Sequence, residues 1–206
     1  MSKANHYDTI VIGAGMTGGW AAKEFCEQGL KTLLIDRGRN VEHPKDYPTT
    51  NMQPWEFKHR GRLTAKEIED NPVASRCYAF REDAKHFFVK DKEHPYEQVK
   101  PFDWIRGTQV GGRSLIWGRQ TYRWSDDDFE ANLRDGIAID WPVRYKDIAP
   151  WYSYVEKFIG VSGEKLNLPQ LPDSEFLPPM ELNCVEKQLQ SSIANNYSDR
   201  ILTIGR

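Results

Sequence analysis

Apolar positions are densest near the start of the chain. Thr9-Ile10-Val11-Ile12 is a short continuous apolar run that ends in Gly13, the pattern of a strand buried on both faces. Over residues 16–28 the period changes. Ala21, Ala22, Phe25 and Cys26 recur at helical spacing, and Gly29 is placed to close that helix in a left-handed conformation. Thr32-Leu33-Leu34-Ile35 is a second apolar run and ends on Asp36. Strand, glycine-rich turn, helix and strand in close succession predict a right-handed βαβ unit, with Cys26 on the buried face of its helix.

From 37 to 101 the periodicity dissolves into a polar stretch bearing Pro, His and aromatic residues. That is too long for one bare loop in a compact domain, so residues 41–100 read as an insertion with a helix around 65–69 and a hairpin near 78–90. Patterning returns at Phe102. Ser125, with Asp128 three residues on, forms a capping box that opens a helix through Leu133. Trp141-Pro142 marks a turn. Trp151, Val155 and Phe158 share one side of a helix over 148–159, closed by Gly160. Residues 166–179 are Pro-rich and extended, a crossing between domains. A last helix is predicted over 184–195 and a last strand over 200–204, which stops short of any partner.

Composition narrows the classes without choosing one. The 206 residues are 39% hydrophobic and 28% charged with a formal net charge of −2, which gives no general electrostatic case for nucleic acid or acidic membranes. No stretch approaches the roughly 18 apolar residues of a membrane span, and the polar N-terminus is unlike a secretory signal. Cys26, Cys77 and Cys184 lie far apart without metal-ligand or disulfide spacing. They read as free thiols, and the chain reads as cytoplasmic. Asp126, Asp127 and Asp128 at a helix start answer to the macrodipole rather than to a metal.

Chemistry enters at Gly13-Ala14-Gly15-Met16-Thr17-Gly18. In a dinucleotide loop the first glycine allows the sharp turn, the second lets backbone approach a diphosphate, and the third lets helix and strand pack closely. The helix N-terminus supplies N–H groups and the positive dipole end. Asp36, eighteen residues beyond Gly18, is placed to accept from a ribose 2′-hydroxyl, and it disfavours a 2′-phosphate despite the adjacent Arg37. The loop alone does not separate NAD from FAD.

A second glycine cluster does, through a resemblance. Three blocks carry it: Tyr7-Asp8-Thr9-Ile10-Val11-Ile12-Gly13-Ala14-Gly15 running on to Gly18; Arg106-Gly107-Thr108-Gln109-Val110-Gly111-Gly112-Arg113-Ser114-Leu115-Ile116-Trp117-Gly118; and Asp140-Trp141-Pro142 followed by Tyr145, Asp147-Ile148, Pro150-Trp151-Tyr152, Glu156 and Gly160-Val161-Ser162-Gly163. In these the chain resembles the glucose–methanol–choline family of FAD oxidoreductases, on the bacterial sugar-dehydrogenase and pyranose-oxidase side. The resemblance implies FAD, with the second block against the flavin, where Gly111 and Gly112 let backbone approach a flat ring. The implied cofactor-binding set is Gly13, Gly15, Met16, Thr17, Gly18, Asp36, Arg37, Arg106, Thr108, Val110, Gly111, Gly112, Ser114, Trp117 and Gly118.

Two departures stand out: family members commonly carry Ser or Gly where Arg113 stands, and Asn or His where Trp117 stands. Ile116 falls near the position at which pyranose oxidases bond a His to the flavin, so the flavin here is expected to be non-covalent.

The resemblance implies that the family's catalytic His pair, or His and Asn, would lie beyond Arg206. None of His6, His43, His59, His86 and His94 is assigned a catalytic role, and no residue a metal. The fold expectation is therefore α/β: a Rossmann-like FAD-binding βαβ domain in segments 1–40 and 101–163, the 41–100 insertion, and at 164–206 the start of an α+β substrate domain in a truncated chain.

The functional expectation is the N-terminal part of an FAD-dependent oxidoreductase that passes hydride from a sugar or other alcohol CH–OH to flavin. The chain alone would be inactive, and the enzyme would serve an electron-acceptor subunit or cytochrome. The alternatives are a non-catalytic flavin-binding module and an NAD-dependent dehydrogenase. Co-export to the periplasm with a partner subunit is the alternative location. Trp20, Trp104, Trp141 and Trp151 read as core packing, whereas Trp55, Trp117 and Trp124 keep a chance of touching substrate.

Overall fold

Thr9–Ile12 forms strand β1, Met16–Glu27 helix α1 and Thr32–Ile35 strand β2 in the computed structural model, which describes residues 6–206. The two strands pair in parallel, Thr9 opposite Thr32 through Ile12 opposite Ile35. The Asp8 and Gly13 N–H groups extend the ladder to the carbonyls of Lys31 and Ile35. Gly29 takes φ +83° just past the helix end, the conformation that favours glycine.

The strands are not buried on both faces. Val11 is buried, but Ile12 is 86% exposed and Ile10 58%, because among the described residues the sheet has two strands and nothing covers its far side. Cys26 is likewise exposed rather than buried.

Contacts divide the chain into two units, Met1–Gly118 and Arg119–Arg206. In the first, the main apolar core lies inside the segment that looked patternless. Ala74, Phe80, Phe87 and Phe88 pack with Ile116 of the second glycine block, and the Phe80 and Phe88 rings meet edge-on at 5.1 Å. The expected hairpin near 78–90 is absent. A 3₁₀ turn at Lys85–Phe87 and isolated turns present these aromatics instead.

The predicted helix here is α2, Ala65–Asp70. Thr64 caps it: the Glu67 N–H donates to Thr64 Oγ1, and the Glu67 carboxylate accepts from the Thr64 N–H at 2.7 Å. Lys85 Nζ donates to the same carboxylate at 2.5 Å. The Lys85 bond, then the Thr64 donors, lower the Glu67 carboxyl to about 2. A depressed acid stabilises the fold above its unfolded pKa and loses that contribution as it protonates. Stability should therefore fall as pH drops from about 4.5 to about 2. In Glu67→Gln that acid limb should be flatter, read by unfolding midpoints across the range.

In the second unit the predicted helix from 125 is two short ones, α3 at Asp126–Phe129 and α4 at Ala131–Asp135, divided at Glu130. The Ser125–Asp128 capping box is present, and Asp126 accepts from the Tyr145 N–H. Helix α5 spans Tyr145–Ile159 and starts three residues before the expected point, since the Asp147 carboxylate accepts the Arg144 N–H at 2.9 Å. Pro150 consequently sits past the first turn of the helix. Gly160 closes it at φ +75°.

Helix α6 is Cys184–Asn196, capped by Asn183. Residues 200–204 form no strand among the described residues. Trp124 and Trp141 stack at 5.5 Å with Phe129 against both rings. Trp151 is 66% exposed and is not core. Among the described residues no helix is long and apolar enough to cross a membrane.

Candidate functional site

The glycine loop takes its shape from β1 and α1. Gly13 leaves the strand at φ +99°, and Gly15 enters the helix in extended conformation. Gly18 is dictated by space: a Cβ there would lie 1.8 Å from the Gly13 carbonyl oxygen. Nothing lies within 4 Å of a Cβ built at Gly13 or Gly15, so the loop backbone borders open space. No side chain caps the first turn of α1, which leaves its N–H groups for an anion. Met16 and Thr17 are exposed at this helix start.

The second glycine segment docks on the first. The Gly111 N–H donates to the Ala14 carbonyl at 2.8 Å, and the Val110 N–H to the Arg39 carbonyl at 3.0 Å. A Cβ on Gly112 would come 3.4 Å from Gly15 Cα. Gly38, just past β2, would place a Cβ 1.5 Å from the Thr108 carbonyl oxygen, so only glycine permits that crossing. The Val89 N–H donates to the Arg106 carbonyl at 2.9 Å, which ties the aromatic core to this segment.

Between the two segments is a cleft of about 540 Å³. Of the sequence-predicted set it is lined by Gly13, Gly15, Asp36, Arg37, Thr108 and Gly112. Arg106 lines an adjoining cavity of about 570 Å³ that shares Arg37 and Thr108. The Arg106 guanidinium lies over Trp104 at 4.8 Å and Tyr96 at 5.1 Å. Trp104 is thus a half-exposed partner of a cation rather than a core residue.

Gly18, Val110 and Gly111 shape the walls without lining the cleft. Ser114 turns its hydroxyl onto the Gly111 carbonyl at 2.8 Å. Trp117 and Gly118 are not brought to the cleft; a Cβ on Gly118 would meet the Tyr78 hydroxyl at 2.6 Å. The lining residues Ile12, Ile35, Gly107, Gln109 and Arg113 and the framing Gly38 went unassigned in the sequence.

Asp36 does more than face the cleft. Its carboxylate accepts the Ala14 N–H and the Gly38 N–H, each at 2.7 Å. These bonds, Ala14 first, hold its carboxyl below the ordinary range. Each carboxylate oxygen keeps a free lone pair, so the anion can brace the loop and still accept from a hydroxyl. A glycine floor with open space above it, uncapped helix N–H groups and an ionised acid at the strand end together suit a nucleotide diphosphate and its ribose.

Similar proteins agree with this chemistry. The chain is 27% identical to the fructose dehydrogenase large subunit of Gluconobacter japonicus over 206 residues, 95% of this chain and 33% of that protein. It is 29% identical to the gluconate 2-dehydrogenase flavoprotein of Pantoea cypripedii over 170 residues, 76% of this chain and 25% of that protein. It is 26% identical to the 2-methyl-1,2-propanediol dehydrogenase of Mycolicibacterium austroafricanum, over 84% of this chain and 27% of that protein. The chain therefore spans about a third or less of the length of these relatives. No family model matches it.

Proposed function

We propose that this chain, a relative of the sugar-dehydrogenase side of the glucose–methanol–choline FAD oxidoreductases, forms the Rossmann-like FAD-binding part of an enzyme that oxidises CH–OH groups of a sugar or glycoside. The observation that carries this reading is the docking of the two glycine segments, through the Gly111 N–H on the Ala14 carbonyl, around a cleft that ends at Asp36.

In this reading the Gly13–Gly18 loop and the start of α1 hold the diphosphate, and Asp36 accepts from the ribose. The Gly111–Ser114 turn borders the remainder of the cofactor. When bound, the flavin supplies the hydride acceptor. The protein residues orient it and narrow the access of water.

Ile116, buried in the aromatic core, offers no nucleophile, so the flavin is held without a covalent bond. An electron-acceptor subunit or cytochrome takes the electrons onward. The similar fructose dehydrogenase chain is a large subunit, which supports an enzyme of more than one kind of chain.

Adding FAD to the purified chain should quench flavin fluorescence saturably, and acid precipitation should leave the colour in the supernatant. Binding of NAD with no response to FAD would instead favour a nicotinamide enzyme, and colour retained in the acid pellet would overturn the non-covalent assignment.

A further inference from the structure

Arg113 is one of the two departures from the family pattern within the second glycine block, and its surroundings give it a use. Gly112 lies against Gly15, with 3.4 Å between a built Cβ and the Gly15 Cα. Arg113 therefore leaves the backbone about 3.8 Å, one peptide, from that contact. Arg113 is among the residues that line the same cleft as Gly13 and Gly15. A single hydrogen bond steadies the guanidinium, from Nη1 to the Ile105 carbonyl at 3.1 Å. Nε and Nη2 have no acceptor among the described residues, and no carboxylate pairs with it.

The contrast with its neighbours is informative. In the same unit Arg39 pairs with Asp46 and Arg76 with Asp103. Asp36 is the acid among the residues that line the cleft, beside two arginines, Arg37 and Arg113. Both Asp36 oxygens already face backbone N–H donors. The cleft thus carries an excess of positive charge at the place where the glycine loop leaves open space.

We propose that Arg113 donates to the diphosphate of the bound dinucleotide from the wall facing the Gly13–Gly18 loop, a binding role that rests on the dinucleotide reading above. A planar guanidinium with free Nε and Nη2 donors matches two oxygens of one phosphate side by side. The loop contributes neutral N–H groups, and Arg113 adds the full charge that the helix end supplies only in part.

The test is ADP binding to the 206-residue chain as salt is raised, for the unaltered protein, Arg113→Gln and Arg113→Lys. Removing a charge-assisted pair should weaken ADP by about tenfold to a hundredfold at low salt and flatten the dependence on salt. Arg113→Lys should keep the salt dependence and recover part of the affinity. If Arg113→Gln binds ADP as tightly as the unaltered chain, the assignment fails while the dinucleotide reading stands. If it loses affinity with an unchanged salt dependence, the loss comes through the fold and the assignment also fails. If the unaltered chain binds neither ADP nor FAD, the dinucleotide reading falls first and takes this role with it.

Discussion

Gly18→Ala is expected to abolish FAD binding and to destabilise the first unit by at least about 3 kcal/mol. A built Cβ would sit 1.8 Å from the Gly13 carbonyl oxygen and 2.9 Å from its carbon. Both are backbone atoms, so no rotamer relieves the overlap. Either α1 retreats from β1, or the Gly13 peptide turns and takes the loop with it. The first response empties the contact that positions the helix N-terminus, and the second destroys the floor of the cleft.

The control is one residue away. Gly19 has nothing within 4 Å of a built Cβ and lies inside α1, so Gly19→Ala should bind FAD normally and gain about 0.5–1 kcal/mol of helix propensity. Urea unfolding and flavin fluorescence on both variants check this pair. Equal behaviour of the two would mean that generic helix effects, and not close packing at Gly18, govern the loop.

That contrast also marks what could be read in the sequence. The strand bounds, the turn at Gly13 and the close packing at Gly18 were legible because they are local: a run, a turn and a period fix them within one unit of structure. Gly38 was not, since its need arises from Thr108, seventy residues away in the chain.

The 41–100 segment misled for a related reason. Phe80, Phe87 and Phe88 form a core with Ala74 and Ile116, but turns and a single 3₁₀ turn present them. No helix or strand repeats them at a fixed interval, so no period appears. The strands erred in the opposite direction. A continuous apolar run records a position that can be covered, whereas coverage depends on neighbours, and β1 pairs with β2 alone among the described residues. Of the residues singled out in the sequence, Gly13, Gly15 and Asp36 line the cleft, whereas Trp117 and Gly118 do not.

Breaking the Arg123–Glu156 pair should be the largest single-site loss in the second unit, about 3–5 kcal/mol for Arg123→Met or Glu156→Leu. Arg123 is 6% exposed and Glu156 3%. The guanidinium donates from Nε at 3.1 Å to both Glu156 oxygens and from Nη2 at 2.6 Å. Nη1 reaches the hydroxyl of Tyr145 at 2.9 Å, Nη2 also faces those of Ser153 at 2.9 Å and Ser174 at 2.8 Å, and Tyr152 lies beneath the guanidinium at 5.5 Å.

Burial alone would ease the proton off Arg123, yet the Glu156 and Tyr145 bonds outweigh it and raise the pKa. The cation therefore persists. Removing either partner strands a charge away from water, whereas removing both leaves an apolar gap ringed by hydroxyls free to rotate. The double variant Arg123→Met with Glu156→Leu should accordingly recover much of the loss, measured by urea unfolding. A double variant as unstable as the sum of the singles would show that the charges act independently.

This node gives the third sequence block a structural use. Its quoted residues Tyr145, Tyr152 and Glu156 all meet Arg123. That stretch of α5 seats one buried cation, which joins the helix to Ser174 in the extended segment beyond it.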